Sequence, residues 1–167
     1  MFVKLPQIFK TTDVDWDKYK TNICTSQFYS EKRKGGGYFY KVNDVDKFMD
    51  LLKPNIFTIM PEIFYSEFTG SGLVTPHIDK GTNVALNFYI ETDNSTTIFY
   101  EGLVPGKLYY ENNVTEVGQF IAQPFDCYLL DVSKIHGVQK TTDKTRSMFS
   151  FRWGDYSFQT IVDSLRV

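Results

Sequence analysis

Hydrophobic and polar positions along this chain repeat with two periods, and the change between them comes near residue 56. Before it, Val45, Phe48, Met49 and Leu52 recur at helical spacing. Asn43 stands where an N-cap belongs and Pro54 stops the pattern, so the spacing predicts a helix running through Leu52. A second, weaker helix is expected over residues 13–23. From residue 56 onward the chain turns to short β-branched and aromatic runs. Strands are expected over 56–60, 62–66, 84–91, 96–101, 107–111, 114–117, 127–132 and 147–153. Asp93-Asn94-Ser95, Pro105-Gly106 and the hairpin-forming Asn112-Asn113 separate them. Eight or so strands after a helical start argue for a mainly β fold with N-terminal helices, a sandwich or jelly roll.

Within 84–91 two rows separate. Leu86, Phe88 and Ile90 make an apolar face, while Ala85, Asn87 and Tyr89 make a mixed one. A polar row is more useful beside a cavity than against a helix, so Asn87 and Tyr89 are candidates to line a site; a solvent-facing row is the alternative. The run Glu31-Lys32-Arg33-Lys34-Gly35-Gly36-Gly37 is expected to be a surface loop, a solvated connection in preference to a lid or a substrate-contacting loop.

Composition narrows the class. At 167 residues and 42% hydrophobic, the chain suits one domain over 1–167 with a substantial core. Its helical part is expected over about 1–55 and its β core over about 56–155. The 15 Phe, 11 Tyr and 2 Trp favour strands. A net charge of −2, with Lys32-Arg33-Lys34 as the basic cluster, disfavours nucleic acid and anionic membranes. Cys24 and Cys127 have no metal-ligand spacing; a disulfide is left open, and a reduced thiol pair is the simpler expectation. The start has no charged region followed by an apolar core, and no apolar run reaches membrane-spanning length. A soluble cytoplasmic protein without a membrane partner is expected.

The chemistry lies in the chain's 2 histidines. His77 opens His77-Ile78-Asp79, where positions two apart leave an extended backbone on the same face. His136 is the other imidazole available. Two imidazoles and a carboxylate on one face of an octahedron leave three positions open, the facial triad of non-haem iron oxygenases. Arg146 follows His136 by ten residues and has the planar fork that reads a carboxylate. Arg152, six residues on along the same strand face, is its competitor, and Lys140 and Lys144 are weaker rivals.

In order and spacing, these residues resemble the 2-oxoglutarate and Fe(II)-dependent oxygenase superfamily, especially its small prolyl-hydroxylase-like members. The resemblance covers about residues 60–153, and the Asn- and Tyr-rich style is similar to members carried by bacteriophages or marine bacteria. It implies a double-stranded β-helix, a cupin-like jelly roll, with His77, Asp79 and His136 as metal ligands. It implies Arg146 on the far carboxylate of 2-oxoglutarate, with Tyr89 beside it. Fe(II) would be the cofactor, with 2-oxoglutarate and O2 as co-substrates and succinate and CO2 as products. The substrate would be a small molecule or peptide, such as a peptidyl or free amino acid. Two positions depart from the pattern. Many relatives have a Gly-Gly-Glu-Thr-like stretch before the strand that here reads Ser95-Thr96-Thr97-Ile98-Phe99-Tyr100, and Met148 stands where some relatives have Ser. The rival functions are a cupin-like metal-binding protein that does not use 2-oxoglutarate and a non-catalytic jelly-roll binding module.

Overall fold

The computed structural model describes residues 1–28, 36–70, 72–102 and 114–166. Strands run through the whole of this length. They are β1 (Phe2–Leu5), β2 (Lys20–Phe28), β3 (Gly36–Val42), β4 (Glu62–Phe68), β5 (Gly72–His77) and β6 (Val84–Glu91). β7 (Thr96–Glu101), β8 (Thr115–Ile121), β9 (Cys127–Asp131), β10 (His136–Lys140) and β11 (Arg146–Trp153) follow. They form two antiparallel sheets, ordered β1-β9-β6-β11-β4-β3-β2 and β5-β10-β7-β8. From β4 to β11 the chain repeatedly crosses from one sheet to the other. That winding is a jelly roll, and it faces residues of successive strands across one interior.

The two rows read along β6 are real faces. Val84, Leu86 and Phe88 join a core with Ile8, Phe9, Trp16, Phe48, Phe149 and Phe151. Ala85 and Tyr89 join a second cluster with Phe99, Phe120 and Met148. The N-terminal third therefore covers the outer face of the larger sheet, and the inner face is left for the interior between the sheets. Phe9, 1% exposed, sits 4.3 Å from the Phe88 ring and 5.1 Å from the Trp16 ring, centroid to centroid.

Residues 1–55 depart from the helices expected there. Their described residues hold β1, β2 and β3, one 3-10 turn (Trp16–Tyr19) and a five-residue helix α1 (Val45–Met49). Where a helix over 13–23 was expected, the β-branched Thr21 and Ile23 belong to β2, whose backbone pairs with β3. The helix expected through Leu52 stops at Met49 because residues 51–53 have other backbone partners. Lys10 N–H donates to Leu51 O at 2.8 Å and Lys53 N–H to Ile8 O at 2.9 Å, around a Phe9–Leu52 bridge. Asp44, with φ 47°, rather than Asn43 occupies the N-cap.

Further on, the strands at 84–91 and 96–101 stand as expected, and those at 62–66, 127–132 and 147–153 shift by a residue or two. The stretch 56–60 forms a single bridge, Phe57 to Leu165, instead of a strand. The Ile59 carbonyl there accepts from the Trp153 indole at 3.0 Å. β5 and β10 were not expected, since Gly72, Pro76 and Gly137 punctuate them; nor was the closing helix α2 (Phe158–Ser164), capped by Ser157 Oγ accepting from Thr160 N–H at 3.1 Å. The run 31–35, the strand at 107–111 and the turns at 105–106 and 112–113 lie outside the described residues. Gly36 and Gly37 belong to β3. Cys127 is a free, buried thiol whose pKa is pushed up by burial. Among the described residues no helix is long and apolar enough to cross a membrane.

If the N-terminal third is part of the core, Phe9→Ala should lower unfolding stability by about 3–5 kcal/mol. Urea denaturation measures this; a loss under about 1 kcal/mol would make that segment peripheral.

Candidate metal centre

β5 and β10 pair with His136 opposite His77 and Val138 opposite Val74. Three steps on β5 thus match two on β10, a bulge at Thr75–Pro76. In an unbroken strand residues 74 and 77 would face opposite ways. The bulge lets both line the cavity between the sheets. Pro76 has no N–H to give the ladder, which suits an irregular position. Gly137 allows the close approach: a Cβ there would lie 2.6 Å from the Val74 carbonyl oxygen.

That register gathers three side chains. His77 Nε2 lies 3.2 Å and His136 Nε2 3.7 Å from Asp79 Oδ1, with the imidazole centroids 4.5 Å apart. Asp79 lies two residues past the end of β5, and its N–H donates to Val132 O at 3.2 Å. His77 Nδ1 is 2.8 Å from Thr75 O, and His136 Nδ1 is 3.0 Å from Lys134 O. A carbonyl only accepts, so both Nδ1 atoms carry and donate the hydrogen. Both rings therefore turn their Nε2 atoms toward the Asp79 carboxylate. The three side chains together could hold a metal ion. Carbonyl-oriented imidazoles with convergent Nε2 atoms are the outer-shell arrangement of metal-ligating histidines.

Electrostatics favour the ligating forms. Burial works to raise the Asp79 carboxyl, yet the His77 hydrogen bond and the charges of His136 and Arg152 bring it below its ordinary value. Burial holds the His136 imidazole below its ordinary value, against the pull of Asp79. All three donor atoms lie within 4.8 Å of one another, and two imidazole nitrogens with one carboxylate oxygen suit Fe(II), Ni(II) or Zn(II).

Deeper in the same cavity, Arg146 is 4% exposed. Its guanidinium donates to Ser95 Oγ at 3.1 Å, Tyr89 Oη at 2.9 Å and Thr97 Oγ1 at 2.8 Å. It also lies 4.9 Å from the Tyr89 ring centroid. Its partners among the described residues are thus hydroxyls rather than a carboxylate. Each hydroxyl accepts from Arg146 and keeps its own hydrogen to donate. Thr97 pairs with Val138, two residues from the Phe99–His136 pair. The guanidinium therefore meets the ladder two residues along from the pair that includes the distal histidine.

The rivals of Arg146 have other surroundings. Lys140, 6% exposed, is ion-paired with Asp93 and donates to Lys144 O at 3.0 Å. Asp93 Oδ1 accepts from Ser95 N–H at 3.1 Å, so Lys140, Asp93 and Ser95 form a relay that ends on Arg146. Arg152 lines the cavity, donates from Nε to Ser150 Oγ at 3.2 Å and stacks 5.0 Å from the Phe39 ring. Of the two predicted lining residues, Asn87 is on the cavity wall, and Tyr89 meets the cavity through Arg146. Sequence reasoning missed Ser95, Thr97 and Asp93, reading them as turn and strand text. The alternation of Ser95 and Thr97 on one face was the available signal.

The cavity encloses about 480 Å³, within the usual range for small-molecule sites. No protein-family model matches this sequence, and no curated protein does. Among solved structures it is similar to HygX from Streptomyces hygroscopicus with nickel, 2-oxoglutarate and hygromycin B bound. That likeness has TM-score 0.55 and 12% identity over 93% of this chain and 84% of that one. The same protein with nickel and 2-oxoglutarate bound gives TM-score 0.54, again at 12% identity over 93% and 84%. Vicilin from Solanum melongena is more distant, at TM-score 0.44 and 12% identity over 77% of this chain and 30% of that one. The likeness to HygX shows the fold, a cupin-like jelly roll.

Two substitutions test this framework. Gly137→Ala should cost about 1–3 kcal/mol by overpacking against β5 and weaken metal binding measured by calorimetry; unchanged affinity would mean the close approach is not needed. Lys140→Met should cost about 3–5 kcal/mol at pH 7 by stranding the Asp93 charge. Asp93 itself is held below its ordinary pKa: burial opposes this, and the Lys140 and Ser95 hydrogen bonds outweigh it. Its contribution is present above the unfolded carboxylate value and is lost as pH falls through the lower folded one. The Lys140→Met penalty should therefore shrink as pH falls to about 4, which urea melts at the two pH values would show.

Proposed function

We propose that this chain is an Fe(II)- and 2-oxoglutarate-dependent dioxygenase that hydroxylates a small molecule, a peptidyl residue or a free amino acid. The carrying observation is the buried Arg146 guanidinium, satisfied by three hydroxyls and opening on the cavity that holds the His77–Asp79–His136 group. A buried cation of this kind calls for an anion. Arg146 and the triad line one cavity, which supports a dicarboxylate with one end at Arg146 and the other at the triad. HygX, of like fold, binds nickel and 2-oxoglutarate, which supports the reading.

His77, Asp79 and His136 would hold the metal, with both imidazoles fixed by the Thr75 and Lys134 carbonyls. Bound Fe(II) with O2 supplies the oxidation that couples 2-oxoglutarate decarboxylation, giving succinate and CO2, to hydroxyl insertion at a C–H bond. The protein positions, shields and tunes that chemistry. Arg146 takes the distal carboxylate through its planar fork. Tyr89 and Thr97 turn their hydroxyl hydrogens to the same group. Asn87 Oδ1 is buried on the cavity wall without a hydrogen-bond partner, so it is placed to accept from a bound molecule. Leu130, Val132, Val138 and Met148 keep the remaining wall apolar and limit water.

His77→Ala and Asp79→Ala should each abolish succinate release, and full activity in either would overturn the assignment. Arg146→Ala should raise the 2-oxoglutarate concentration needed by roughly 10- to 100-fold while metal affinity holds. Anaerobic addition of Fe(II) and 2-oxoglutarate should produce a weak visible charge-transfer band; without it and without succinate, a binding module is the better reading.

A further inference from the structure

Among the described residues, Trp16 Nε1, Asn87 Oδ1 and Ser66 Oγ are buried side-chain polar atoms without a hydrogen-bond partner. Trp16 belongs to the aromatic core on the outer face of the larger sheet, and Asn87 Oδ1 is the acceptor already given to a bound molecule. Ser66 is used by neither the triad nor the Arg146 cradle. It is 1% exposed and lines the cavity. A buried hydroxyl gives up its bonds to bulk water, and that loss is offset only when another group takes them over. On a cavity wall the group best placed to do so is a bound molecule.

Strand register gives Ser66 its neighbours. Phe39 on β3 and Met148 on β11 stand directly opposite it, one on each side, and Phe68 follows two residues on along the same face of β4. All four line the cavity. The Phe39 and Phe68 rings meet edge-on, with centroids 5.9 Å apart. Arg152 is already engaged on this sheet: its guanidinium lies 5.0 Å from the Phe39 ring and 5.5 Å from the Phe64 ring, and it donates to Ser150 Oγ. The polar side-chain atom left without a partner in this patch is therefore Ser66 Oγ. A hydroxyl both donates and accepts, so it can pair with a hydroxyl or a carbonyl. Two phenyl rings and a thioether around it suit a flat or aromatic body.

We infer that Phe39, Ser66, Phe68 and Met148 form the substrate subsite of the cavity, and that it takes an aromatic or flat apolar group whose hydroxyl or carbonyl oxygen pairs with Ser66. That this occupant is a substrate rests on the oxygenase reading; that such a group binds there does not. Ser66 belongs to the larger sheet and His77 and His136 to the smaller one. A molecule in the subsite therefore lies across the cavity from the two imidazoles.

Fluorine-detected NMR on the Ni(II)-loaded protein, with and without 2-oxoglutarate, tests this with para-fluorotoluene, para-fluorobenzyl alcohol and para-fluoroacetophenone. Ser66→Ala should weaken the alcohol or the ketone by roughly 5- to 10-fold and leave the toluene within about twofold. Whichever oxygenated probe loses more shows which oxygen the site prefers. Phe68→Ala should weaken all three severalfold. The urea midpoint of Ser66→Ala should stay within about 0.5 M of wild type, because the hydroxyl has no internal partner to lose. A larger drop would reveal such a partner and overturn the proposal. So would equal affinities for the alcohol and the ketone in wild type and Ser66→Ala, a Phe68→Ala variant that binds all three unchanged, or a wild type that binds none of them. Failure of 2-oxoglutarate to bind the wild type would overturn the oxygenase reading, while the Ser66→Ala comparison on the Ni(II)-loaded protein alone would still decide the subsite.

Discussion

The close approach of β10 to β5 at Gly137 is the constraint on which the rest of the site depends. A bulge adds one residue to β5, and Gly137 leaves room for the Val74 carbonyl that the bulge pushes inward. Without both, Val74 and His77 could not share a face, and His77 would not stand opposite His136. The same segment supplies the Thr75 carbonyl that orients the His77 ring. Backbone geometry, rather than any side-chain contact, therefore sets the donor atoms at their mutual distances. The apolar packing on the outer face of the larger sheet then holds that backbone in place.

Charge placement is the second organising theme. Burying Lys140, Asp93 and Arg146 together would be costly if any were left without a partner. Lys140 and Asp93 neutralise each other, and Asp93 fixes the Ser95 backbone. Ser95 joins Tyr89 and Thr97 around Arg146. Neutral hydroxyls satisfy the guanidinium's hydrogen bonds without cancelling its charge, so the attraction for an anion survives. A carboxylate in place of one of them would have stabilised the ligand-free fold and weakened that attraction.

The β-rich character and several strands were legible because alternation is local. The run from Val84 to Glu91 shows its two faces in eight residues, and both faces are where the pattern puts them. The first 55 residues misled for the same reason. Helical spacing at Val45, Phe48, Met49 and Leu52 carries no information about residues 8–10, whose backbone pairs with residues 51–53 and cuts the helix short. β5 and β10 were hidden by Pro76 and Gly137, residues that usually interrupt strands and here make the required irregularity.

By itself, the sequence determined the donor chemistry: two imidazoles, one nearby carboxylate, and arginines at two places on a closing strand. Those are properties of residue type and short spacing, which survive without knowledge of the fold. Tertiary structure decided their use. The sheet order brings His136 opposite His77 and surrounds Arg146 with Ser95, Tyr89 and Thr97. It ties Lys140 to Asp93 and leaves Arg152 beside Ser150 and Phe39. Hydrogen-bond partners dozens of residues apart are set by strand register and by which face each strand turns inward, and one bulge is enough to change both.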